Sequence, residues 1–194
     1  TLKHMKVFKN RKILEFVIAL FFVLIGAGLR LIPHAPNFSP IAAIALFSGV
    51  YLSKKTALLL PVFALLISDI FIGFYDIKIM AAVYGSFVLC AVLGILLKNH
   101  KKWQAAAAGA ILSSVLFFII TNFAVFAFSP WYAKTISGLI QSYVMALPFF
   151  RNTLLGDLFY TSVFFGGYEL VSVLIKNRFK IKKGASKVIK ALPA

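Results

Sequence analysis

Residues 30–55 read RLIPHAPNFSPIAAIALFSGVYLSKK. Three prolines within eight residues (Pro33, Pro36, Pro40) fix backbone dihedrals and forbid a helix, so the first part is a stiff, shaped loop. An apolar run follows, and Lys54–Lys55 closes it. The run, placed at 39–52, is too short to face lipid along its whole length. It belongs against other helices or beside a wet cavity. Its Ala42, Ala43, Ala45 and Gly49 form a small-residue surface for close helix contact, and Gly26, Ala27 and Gly28 just upstream resemble it.

Longer apolar stretches lie on either side. Together they suggest six membrane spans at 13–29, 39–52, 56–72, 79–97, 105–128 and 153–175. Alternation places seventeen of the 21 Lys and Arg residues on one side. Only Arg30, Lys78, Lys134 and Arg151 fall on the other. Basic residues in short loops stay in the cytoplasm, which predicts an all-α six-helix bundle with both termini inside. Residues 1–12 then form a cytoplasmic basic N-terminus, 13–175 the transmembrane domain and 176–194 a cytoplasmic basic tail. His4–Met5 reads as a cloning junction, making 1–4 a tag remnant. The expected location is a bacterial inner (plasma) membrane.

The segment 136–150 is apolar at Ile136, Leu139, Ile140, Tyr143, Val144 and Leu147, and polar or small at Ser137, Gly138, Gln141 and Ser142. That pattern suggests an interfacial helix folded over the outer mouth as a lid. A seventh crossing there would move the basic tail outside.

Composition agrees with the membrane reading: 61% hydrophobic, 13% charged, mean hydropathy +0.94. The net charge of +16 sits in collars beside apolar runs, so lipid headgroups rather than nucleic acid are the expected partner. The one cysteine, Cys90, excludes an intrachain disulfide and any multi-cysteine metal site, and reads as a packing residue. Glu15 and Glu169 read as snorkelling partners of Lys12 and the basic tail. No phosphate-cradling loop, zinc-protease motif or nucleophile elbow is present, so no cofactor or bound metal is expected.

Counting depth at about 1.5 Å per residue sets Arg30, Asp69, Tyr84, Asn122, Asp157 and Tyr160 at nearly one outer level. A charge in hydrocarbon costs about 2.5–3.5 kcal/mol on insertion scales, so such groups face inward and find partners. Two readings follow. One is internal neutralisation, Arg30 with Asp69 and Arg151 with Asp157, holding helices in register. The other is an outer pocket completed by His34 and Asn37 from the proline loop, with Trp131 or Tyr132 stacking on a flat ligand.

The segments 30–43, 67–73 (Ile-Ser-Asp-Ile-Phe-Ile-Gly), 82–85 (Ala-Val-Tyr-Gly) and 148–157 (Pro-Phe-Phe-Arg-Asn-Thr-Leu-Leu-Gly-Asp) together resemble the substrate-binding S component of energy-coupling-factor vitamin transporters. The resemblance is closest to the solitary cobalamin-type S components. It implies capture of a vitamin-like molecule from outside, toppling of the subunit in the membrane, and energy from a shared ATPase module. His34, Asp69, Tyr84 and Arg151 match its pocket positions. One departure stands out. The cobalamin-binding relatives are expected to ligate cobalt through a cysteine just ahead of the tyrosine of span four. Here residues 79–83 read Ile-Met-Ala-Ala-Val, and Cys90 lies about two turns deeper than Tyr84. Either His34 ligates, or a corrinoid binds without axial coordination, or the substrate is another nutrient. The competing functions are a membrane enzyme using His34 with Asp69 or Asp157 on a lipid headgroup, and a scaffold subunit of a larger complex.

Overall fold

The computed structural model describes the backbone of residues 2–100 and 102–191, and the side chains of 12–100 and 102–174. The side chains of the basic ends, apart from Lys12, and those of the suspected tag remnant therefore lie outside the described residues. The fold is all-helical: α1 (Leu2–Leu31), α2 (Ile41–Tyr51), α3 (Lys54–Ile72), α4 (Ile77–Leu96) with a 3₁₀ turn at Leu97–Asn99, α5 (Trp103–Phe128) and α6 (Ile136–Ala191). Four segments are long and apolar enough to cross a membrane: Lys12–Leu31, Lys54–Ile72, Ile77–Asn99 and Trp103–Phe128.

Local chemistry sets the breaks. The prolines after Leu31 stop α1. Gly73 ends α3 at a φ of 107°, a conformation that favours glycine. Asp76 starts α4 by accepting from the backbone N–H groups of Lys78 (2.9 Å) and Ile79 (3.1 Å). Pro61 sits inside α3 without an N–H to give Ala57, and the freed Ala57 carbonyl accepts from the Ser48 hydroxyl of α2 at 3.4 Å. On the opposite side of α2, the Glu15 carboxylate accepts from Ser53 N at 2.8 Å, tying α1 to the α2–α3 turn.

The short helix α2 is the axis of the bundle. Every residue from Ile41 to Val50 is buried. Around it, α1 packs on α3, α3 on α4, α4 on α5 and α5 on α6. The helices α1 and α6 meet only through side chains, such as the edge-on rings of Phe22 and Phe164 at 5.1 Å. The tightest crossing is α2 on α4. A Cβ on Gly49 would run into the backbone of α4, and one on Gly94 into the backbone of α2. The glycines remove the atoms that would otherwise hold these backbones apart. The small residues of α2, and Gly26 against Ile41, Ile44 and Ala64, are thus used within the bundle.

The expected lid is not a separate element. Residues 136–150 are the first turns of α6, continuous with the rest, and they run antiparallel along α5. Tyr143 donates to the Ile119 carbonyl at 2.8 Å, and Phe118 meets the rings of Tyr143 and Phe150. Gly138, Ser142 and Ala146, one turn apart, are buried, while Ile136, Ile140, Val144 and Leu147 are exposed. The pattern is the reverse of a soluble amphipathic helix: small residues face the bundle and permit close packing, while large apolar ones face out. The segment therefore runs alongside α5, and the helix expected at 153–175 begins well above residue 153. Pro148 lies inside α6 without ending it.

The glycine crossing yields a stability prediction. Gly49→Ala and Gly94→Ala should each destabilise the solubilised protein by about 1–3 kcal/mol through overpacking. Gly166→Ala, which meets open space, should leave the melting temperature unchanged or raise it. Melting curves of the three variants in one detergent check this.

Candidate functional site

One end of the bundle encloses a cavity of about 270 Å³. Arg30 reaches it from the last turn of α1, and His34, Asn37 and Ser39 from the proline loop. Leu65 and Ile72 of α3, Tyr75 of the α3–α4 turn, Val83 and Phe87 of α4, and Phe117 of α5 supply walls. Thr153 and Asp157 complete it from α6.

The proline loop is held against α6. Asn152 donates its side-chain amide to the Pro36 carbonyl at 3.1 Å. Phe38 lies so close to Gly156 that a Cβ there would stand 3.2 Å from the Phe38 Cα. Its ring packs beside Phe159 and Tyr160. Within the loop, Asn37 adopts a φ of 65°, a left-handed state asparagine tolerates, and Phe38 N donates to the Ala35 carbonyl at 3.0 Å. His34 uses Nδ1 as a donor to the Ile32 carbonyl at 2.6 Å, which leaves Nε2 of the neutral ring as an acceptor.

The two inner acids have different surroundings. Asp69, 1% exposed, has Arg30 Nη1 2.8 Å from Oδ1, an ionic contact outside hydrogen-bond alignment. The Tyr84 hydroxyl donates to its Oδ2 at 2.8 Å. Arg30 also donates to the Ser68 hydroxyl and to the Leu65 carbonyl (3.5 Å). Asp157, 2% exposed, accepts from the Ser114 hydroxyl at 2.6 Å and faces no cation among the described residues. At the mouth, burial pushes the Tyr75 phenol up to about 12, with the Asp69 charge adding and Arg30 opposing. Tyr75 therefore presents a neutral hydroxyl at physiological pH.

Of the residues expected from sequence, Arg30, His34, Asn37 and Asp157 line the cavity, and Asp69 with Tyr84 buttresses Arg30. Four do not join them. Asn122 donates to the Phe118 carbonyl of its own helix at 2.7 Å. Trp131 is 75% exposed. Tyr160 sits behind the wall among Phe38, Phe159 and Phe164. Arg151 is exposed and makes no ion pair with Asp157. A continuous helix explains that last outcome: six residues turn through about 600°, leaving the two side chains roughly 120° apart, whereas pairing needs a spacing of three or four. The remaining outer cations are engaged locally. Lys78 lies over the Phe128 ring at 5.3 Å, and Lys134 donates to the Ser129 carbonyl at 2.7 Å.

Ser39, Tyr75, Phe87, Phe117 and Thr153 belong to the site and were not expected. Phe87 lies three residues after Tyr84 and Thr153 four before Asp157, so helical spacing from the expected residues points to both. Ser39, Tyr75 and Phe117 carry no such signal. Cys90 is fully buried outside the cavity, its Sγ 4.0 Å from the Ser113 carbonyl. Among the described residues no three His, Cys, Asp or Glu side chains converge as a metal site.

Residues 10–181 match a family of unknown function, DUF6580, and the chain belongs to that family. No curated protein and no solved structure matches it.

The Arg30–Asp69 pair makes a testable claim. Removing one partner leaves a buried charge and should cost about 3–5 kcal/mol, seen with Asp69→Leu or Arg30→Met alone. The double variant should recover most of that loss. Strictly additive melting shifts would show that the two charges do not depend on each other.

Proposed function

We propose that the protein is a membrane-embedded capture subunit, similar to the S component of energy-coupling-factor transporters, that takes up a small nutrient from outside a bacterial inner membrane. In this reading α1 to α6 make six crossings with both termini cytoplasmic. The described cations support that orientation: Lys12, Lys54, Lys55, Lys98 and Lys102 belong to one end of the bundle, which the positive-inside rule assigns to the cytoplasm. The cavity belongs to the other end. A shared ATPase module is the energy source implied by the family resemblance.

The observation that carries the reading is the cavity itself. Polar side chains from α1, the proline loop and α6 converge with apolar walls from α3, α4 and α5 in one chamber, which suits orientation of a small ligand. Its volume of about 270 Å³ is near the lower limit of about 300 Å³ for small-molecule sites. That size favours a nutrient much smaller than a corrinoid. The buried small-residue face of α2 counts against a scaffold role, since the bundle itself occupies that face.

Mass spectrometry of the detergent-purified protein tests the reading. One small organic molecule should accompany the wild-type chain and be lost from Val83→Trp, whose larger side chain fills the cavity. Equal recovery from both proteins, or none from either, overturns it.

Orientation has its own test. In a Cys90→Ala background, Trp131→Cys should react with an impermeant maleimide in intact cells. Asn99→Cys should react only after permeabilisation. The reverse pattern excludes the proposed topology.

A further inference from the structure

We infer that the ligand of this cavity is a small organic cation with a flat apolar body, such as a protonated aromatic amine or an N-alkylated heteroaromatic ring. The inference rests on the capture reading and adds the charge and shape of what is captured.

The argument begins with charge. Three ionisable side chains stand in or directly behind the cavity wall: Arg30, Asp69 and Asp157. Arg30 and Asp69 are 2.8 Å apart and neutralise each other, with Tyr84 completing the carboxylate. Asp157 is left with a single hydroxyl donor, Ser114. It has the same degree of burial as Asp69 but lacks the cation. Burial favours the ionised form of a carboxyl only when a cation or several donors meet it, and among the described residues the bundle supplies neither to Asp157. A partner can approach from the cavity, because Asp157 forms part of its wall.

The apolar walls match a flat body. The rings of Phe87 and Phe117 are tilted by 33° with centroids 4.9 Å apart, and both residues line the cavity together with Asp157. Aromatic faces attract cations, and the effect strengthens when water is excluded. An anion would have to displace Asp69 from Arg30 and approach Asp157, which is unfavourable on both counts.

The test uses three probes that share one ring system and differ in charge: tryptamine (cation), tryptophol (neutral) and indole-3-acetate (anion). Dissociation constants are measured by isothermal titration on the purified full chain at neutral pH. Tryptamine should bind at least about tenfold more tightly than tryptophol, and indole-3-acetate most weakly. Asp157→Asn should remove that preference. If Asp157→Asn fails to fold, Phe87→Leu keeps an apolar wall but removes the ring, and should reduce the preference for tryptamine several-fold.

Tightest binding by indole-3-acetate, a tryptamine affinity unchanged in Asp157→Asn or an unchanged preference in Phe87→Leu, or no binding by any probe overturns the inference. The capture reading stands or falls separately, on whether a native molecule co-purifies and is lost on filling the cavity.

Discussion

A helix of eleven residues rises about 16 Å, roughly half the ~30 Å hydrocarbon core of a bilayer. The bundle is arranged around that shortfall in α2. The helix is buried on every side from Ile41 to Val50, so its backbone and small side chains there are covered by protein. Its glycine crossing with α4 lets the neighbours close around it. The rest of the distance falls to the loop at 32–40, which descends to the level of Gly156. Irregular backbone at such depth is tolerated only where protein or a cavity covers it. Three of its nine residues are prolines, which have no N–H, so fewer donors need partners. The remaining groups find some close by: Ala35 O accepts from Phe38, Pro36 O from Asn152, and Ile32 O from His34.

The same shortfall produces the cavity. The outer helices α3, α4 and α5 keep full length while the central one stops half way, so the outer half of the axis holds only a loop. Side chains that would have packed on a helix there look into open space instead. Arg30, Asp157, Phe87 and Phe117, from four different helices, share one chamber for this reason. The polar residues and the short apolar run are thus two signs of one architectural choice.

Much of this was legible in the sequence because charge and proline are strong signals. The prolines around α2 and the Lys54–Lys55 pair give its length, and the rarity of acids directs attention to Asp69 and Asp157. The start of α6 was misread for a physical reason. Apolar residues at helical spacing mark the inward face in water, but in lipid the small residues Gly138, Ser142 and Ala146 pack inward and the large ones face out. That error carried a second. With a break placed near residue 152, Arg151 was free to reach Asp157; in a continuous helix it points elsewhere. Tyr75 and Phe117 were missed because a turn tyrosine and one phenylalanine among 21 carry no pattern of their own.

Loop, chamber and carboxylate are joined through α6. The loop's anchors are Asn152 and Gly156, and the carboxylate with a lone hydroxyl donor is Asp157. All three fall within about one and a half helical turns. Thr153, between them, also lines the chamber. A shift or rotation of this part of α6 would therefore move the roof and the charged wall together. The ion pair of Arg30 and Asp69 bridges α1 and α3 and stands at the other end of the loop, two residues before it begins. One wall holds its own ion pair, and the other carries both the loop's anchors and the carboxyl group that has no cation beside it among the described residues.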